Sequence, residues 1–117
     1  MSQSPNSPIN LEQLKQISEG DIKFEIEVLQ AYVEDNSKRI EEIREAIAAK
    51  HYLGVTQAAH HIKGASGNVG ATRLIDLSIR LEKMQPQELD LVNEIVNQML
   101  EAMQDVKIFL SKIECQA

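Results

Sequence analysis

Apolar residues recur along two long stretches of the chain in alternating steps of four and three, the spacing of a helix that keeps one face buried. The first runs through Ile22, Ile26, Leu29, Val33, Ile40, Ile43 and Ile47, with Asn36 in the one missing seam position. It predicts a helix from Asp21, its cap, to about Lys50. The second runs through Val92, Ile95, Met99, Ala102, Val106, Phe109 and Ile113 and predicts a helix over about Gln87 to Glu114. Pro86 suits its first turn, and Glu88 and Asp90 complement the positive end of its dipole. Two shorter helices are predicted between them, roughly Tyr52 to Ser66 and Arg73 to Gln85. In the latter Thr72 is the expected cap, and Leu74, Leu77, Ser78, Leu81 and Met84 face inward. Ahead of all four, Asn10 can cap a short helix to Ser18 that buries Leu11, Leu14 and Ile17, before Glu19-Gly20 breaks it.

The connections near His51, at Val69 to Ala71 and at Gln85-Pro86 are short, so successive helices must run antiparallel. The expected fold is therefore all-α, an antiparallel up-down-up-down four-helix bundle with a short additional N-terminal helix. It occupies residues 11–117 as one domain, behind a flexible leader over 1–10 that is rich in Ser, Pro and Asn. Outside the apolar stripe of the first long helix, Glu34, Asp35, Lys38, Arg39, Glu41, Glu42 and Arg44 read as a solvated face, and Asn36 as a residue that fixes helix register.

Composition supports one aliphatic core. The chain has 117 residues, 43% hydrophobic and only 3% aromatic, so Leu, Ile, Val, Ala and Met must fill the interior. A formal net charge of -6 argues against nucleic acid or an anionic membrane as partner. No apolar stretch approaches a membrane span, and the polar first ten residues do not resemble a signal peptide. The single cysteine, Cys115, has no partner thiol for a disulfide and is read as a small, partly buried residue near a helix end. A cytoplasmic monomer is the expectation.

The segment from His51 to Ala71 breaks the pattern of the other helices, with Gly54, Gly64 and Gly67 in helical context. Each costs about 0.5–1 kcal/mol against Ala in a helix interior, which asks for a packing or an access reason. Its inward face holds Val55, Ala58 or Ala59, Ile62 and Val69, while steps of three and four along the other side give Tyr52, Thr56, His60, Lys63, Gly64 and Gly67. His60 should therefore point outward, with an ammonium at i+3 and bare backbone at i+4. A neutral imidazole, with an unperturbed pKa of about 6.5, is a good nucleophile near neutral pH. Phosphoryl transfer depends on positioning and counter-charge, which Lys63 can supply. His61 lies about 100° around the helix, so the two histidines do not form a metal pair. Gly70 reads as a helix terminator.

The ordered set His60-His61-Ile62-Lys63-Gly64, Ser66, Asn68-Val69-Gly70-Ala71, Leu74 and Leu81-Glu82 resembles the histidine-containing phosphotransfer family. The family pattern is Ala-His-x-Leu-Lys-Gly, a small-residue stretch ending in Leu-Gly-Ala, then Leu and a Leu-Glu pair. Ala59 matches, Ile62 and Val69 replace leucines, and Ser78 stands where cysteine is common. The resemblance, which covers about Leu11 to Ile113, implies a phosphorelay intermediate whose His60 accepts a phosphoryl group from a receiver-domain aspartate and passes it to another. By the same carry-over Lys63 steadies the phosphoryl group and Gly64 permits close receiver approach. The partners implied are receiver domains of response regulators or hybrid histidine kinases. The receiver supplies Mg²⁺, so no cofactor, metal, nucleotide or kinase site is expected on the chain itself. Tyr52, Thr56, Gln57 and Gly67 are the expected receiver-docking residues from helical geometry. Two other readings are an adaptor bundle that binds without transfer, and a metal or haem bundle, which needs inward-facing ligands.

Overall fold

The computed structural model describes residues 7–85 and 87–116. Among these described residues there are five helices, α1 (Leu11–Ser18), α2 (Ile22–Ala48), α3 (Tyr52–Val69), α4 (Thr72–Glu82) and α5 (Leu89–Gln116). The caps expected for the first two are made. Asn10 Oδ1 accepts from the amides of Glu12 and Gln13, and Asp21 Oδ1 accepts from that of Phe24. Glu19 and Gly20 both take positive φ, which reverses the chain between α1 and α2.

The third and fourth helices depart from expectation at their ends. α3 runs on to Val69, and Gly70 closes it at φ 77°. A side chain there would be strained and would also lie 2.9 Å from the Asn10 carbonyl oxygen, so glycine is required twice over. Immediately after this turn the cap position of α4 falls to Ala71, whose amide donates to the Ser66 carbonyl, and Thr72 becomes the first helical residue without capping. α4 stops at Glu82, short of the expected Gln85. α5 begins two residues later than predicted because Glu88 turns its carboxylate back to accept from the Gln85 amide, closing the connection instead of joining the helix. The proline expected in the first turn, Pro86, lies outside the described residues.

Around the bundle α2 packs on α3, α3 on α4, α4 on α5 and α5 back on α2, the ring expected of antiparallel neighbours. α1 lies across α2 and α3. At 1.5 Å per residue the 27-residue α2 spans about 40 Å, close to the 45 Å long axis of the molecule. The buried seam holds Leu29, Ile40 and Ile43 of α2, Ala59 and Ile62 of α3, Leu74, Leu77 and Leu81 of α4, and Ile95, Met99 and Val106 of α5. Among the described residues no helix is long and apolar enough to cross a membrane.

Several interior assignments change. Ile17 and Ile22, placed in the apolar stripes, are exposed, while Glu25 and Tyr32 are buried. Glu25 and Tyr32 each have a partner, whereas the hydroxyl of fully buried Ser78 has none among the described residues. Glu25 accepts from the Ser18 hydroxyl at 2.6 Å, and the Tyr32 hydroxyl lies 2.6 Å from Ser66 Oγ. Asn36 is buried as expected, but its Nδ2 donates to the Tyr32 carbonyl one turn back, within α2, so the bond it makes does not set register against a neighbour. The last residues of the expected leader are held against the bundle. Met1 to Asn6 lie outside the described residues, but Ile9 is fully buried and the Asn10 amide donates to the Gly70 carbonyl at 2.7 Å. Cys115 is exposed on the last turn of α5, not partly buried.

Candidate functional site

Val55, Ala59, Ile62, Ser66 and Val69 form the buried face of α3. Their spacing fixes where the rest of the helix points, and His60, at its middle, turns away from the core with 71% of its side chain exposed. Lys63 follows one turn later on the same side. The antiparallel α3–α4 hairpin brings a third group to them. Glu82, the last residue of α4, places Oε1 2.9 Å from Lys63 Nζ and Oε2 3.5 Å from His60 Nδ1. The hydrogen bond from Lys63 is the main reason the Glu82 carboxyl sits below the usual glutamate range, with burial acting the other way and the nearby His60 adding to the lowering.

Along the sequence Glu82 stands out only as part of a Leu-Glu pair. Its meeting with His60 depends on how α3 and α4 align across the hairpin, which the periodicity of either helix alone does not specify. Nor is Lys63 a free cation: it is two-thirds buried and engaged by Glu82. A carboxylate on the Nδ1 side favours the imidazole tautomer with its proton there, and this leaves the Nε2 lone pair facing solvent.

Gly64 and Gly67 lie on this surface, and a Cβ at either would meet no atom within 4 Å. Packing therefore does not require glycine at either position. The surface beside His60 is bare backbone, which favours the access reason for both residues. Gly54 differs, because a Cβ there would press on the His51 ring at 3.0 Å.

The remaining predicted docking residues divide between two sides of α3. Tyr52 and Thr56 lie toward α4 and α5, where with Leu53, Leu81, Met84 and Val92 they line a shallow apolar cavity of about 200 Å³. The Thr56 hydroxyl donates to the Tyr52 carbonyl. Gln57 instead faces the groove between α2 and α3, beside Arg39, Glu42 and His61. His61 Nε2 lies 2.7 Å from Asp35 Oδ2 on α2, and that bond is the main cause that lowers the Asp35 carboxyl, opposed by burial and helped by Arg39. The two adjacent histidines thus diverge, as helical geometry requires. Among the described residues no group of three or more His, Cys, Asp or Glu side chains could hold a metal ion.

What this arrangement can do is present an unhindered imidazole nitrogen to an electrophile brought by another molecule, with a cation one turn away and no wall around it. The chain matches the Hpt domain family over residues 27–108, from the first turns of α2 nearly to the end of α5. No curated protein matches it in sequence. In three dimensions it is similar to the crystal structure of histidine-containing phosphotransfer protein B (HptB) from Pseudomonas aeruginosa PAO1, with a TM-score of 0.84 and 21% sequence identity over 98% of this chain and 99% of that one. At that identity the likeness is one of fold.

Proposed function

The chain belongs to the Hpt domain family, and from that premise we propose that His60 is the residue that carries its phosphoryl group. Hpt domains are phosphotransfer carriers and not kinases, and the protein is a histidine phosphotransfer intermediate of a two-component phosphorelay. In the proposed step the Nε2 lone pair of His60 attacks the phosphorus of a receiver aspartyl phosphate. The P–N bond forms, the P–O bond to the aspartate breaks, and the aspartate leaves as a carboxylate. Onward transfer runs the same displacement toward a second receiver. The receiver brings the aspartate and Mg²⁺, and this chain contributes the nucleophile, its orientation and the Lys63 charge.

The observation that carries the reading is the exposure of His60 on a face where Lys63 stands one turn away and Gly64 and Gly67 leave the backbone uncovered. A receiver must bring a recessed aspartate to within bonding distance of Nε2, and side chains at those two glycines would hold it off. Tyr52 and Thr56, with the apolar cavity beside them, support a docking surface on the α4 side, while Gln57 would touch a receiver only at its edge. We place the protein in the cytoplasm as a monomer that meets receivers of response regulators or hybrid kinases. The experiment is transfer from a phosphorylated receiver with Mg²⁺ to the wild-type chain and to His60→Gln. Acid-labile, base-stable label on the wild type and none on the variant is expected. Equal label on both would remove His60 from the reaction, and no label on a folded wild type with any of several receivers would favour the adaptor reading.

A further inference from the structure

Lys63 has one ammonium group and two claims on it. Before transfer it is held by Glu82 Oε1 at 2.9 Å, and after transfer the phosphoryl oxygens on His60 need the same charge. Glu82 cannot withdraw far. It ends α4, its side chain is only one-fifth exposed, and its second oxygen lies 3.5 Å from His60 Nδ1. A carboxylate therefore stays close to the imidazole ring when an anion is built on that ring. The competition for Lys63 exists only in the phosphorylated protein.

We propose that Glu82 is a positioning residue that raises the free energy of phosphorylated His60 by competing for Lys63, so that the group is readily surrendered to the next receiver. The inference rests on the reading of His60 as acceptor. It assigns to the Lys63–Glu82 pair a role opposite to simple stabilisation: the pair is satisfied in the resting protein and strained by loading. A carrier gains from this, since a phosphohistidine held too well would not pass its group on.

The test is the equilibrium distribution of label between a phosphorylated receiver, with Mg²⁺, and the full chain as wild type or Glu82→Gln. Glutamine keeps the volume and removes the charge. A shift of roughly two- to fivefold toward phosphohistidine is expected, the range of a partly exposed charge pair, and it should shrink in high salt. In a Lys63→Gln background the shift produced by Glu82→Gln should largely vanish. An unmoved ratio, a shift toward the receiver, or the same shift without Lys63 would each overturn the proposal. A change in packing alone would slow transfer in both directions and leave the ratio where it was. Should Glu82→Gln fail to fold, Glu82→Asp draws the charge back by one methylene and should move the ratio the same way by less; no movement would count against the proposal. Absence of label on the wild type would defeat the acceptor assignment and this inference together, whereas full label with an unmoved ratio would defeat this inference alone.

Discussion

His61 Nε2 and Asp35 Oδ2 meet at 2.7 Å across the α2–α3 contact, at the level of the residue before His61, which faces α4 instead. The helix that carries His60 is thus tied on both flanks, by the Asp35–His61 hydrogen bond toward α2 and the Glu82–Lys63 ion pair toward α4. Both carboxylates belong to the neighbouring helices. The ties add to the core packing that sets the orientation of α3 about its own axis, and that orientation decides where His60 points.

Acid should loosen this bracing. The Asp35 and Glu82 carboxyls lie below their ordinary values of 3.8 and 4.5, so the folded protein binds these protons less tightly than the unfolded chain. Their contribution is fully present above that range and is lost as pH falls through the depressed folded-state values. Thermal melts at descending pH should show the acid limb made shallower by Asp35→Asn. The effect should be small and salt-sensitive, because Asp35 is 45% exposed. An acid limb unchanged by the substitution would mean the pair contributes nothing to stability.

At the alkaline end the informative residue is Tyr32. Burial pushes its phenol up from 10.0 to about 12, with the bond to Ser66 pulling the other way. The folded state therefore keeps this proton more tightly than the unfolded chain, and the associated stability, intact below pH 10, declines as pH rises toward 12. Tyr32→Phe should abolish that decline. At neutral pH it should cost about 1–3 kcal/mol in denaturant titration, since it leaves the fully buried Ser66 hydroxyl without its partner.

Gly64 separates stability from transfer. Because a Cβ there touches nothing, Gly64→Ala should stabilise the helix by about 0.5–1 kcal/mol. A longer side chain such as Gly64→Gln should also fold well, yet slow transfer from a receiver by roughly tenfold or more, equivalent to about 1.4 kcal/mol of lost docking or positioning. Stopped-time transfer assays beside melting curves would check this. A Gln variant that transfers normally would show that the receiver does not approach over α3 at this point.

The bundle was legible in the sequence because α2 and α5 carry sustained apolar stripes, and because the short connections leave antiparallel packing as the only closure. The outward placement of His60 was legible because α3 has a clear inward face, so its outward face follows. What escaped depends on contacts between helices. Tyr32 and Glu25 are polar in pattern and interior in fact, because Ser66 and Ser18 lie opposite them. Ile9, isolated between Pro8 and Asn10, has no periodicity to announce it and is buried through the Asn10–Gly70 backbone bond. Glu82 reaches His60 only through the α3–α4 alignment. Glu88 replaced a helical turn with a side-chain bond, a local competition that propensity does not register.

His60 stands at the middle of an 18-residue helix whose inner face is locked into the core. Among the described residues nothing around His60 forms an arm to swing or a hinge to time. Donor and acceptor must each travel to one fixed address and arrive in the same pose, so they must compete for it and cannot both be seated at once. On the proposed reading the pace of the relay depends largely on encounter, on the abundance of the receivers and the speed with which the last one departs.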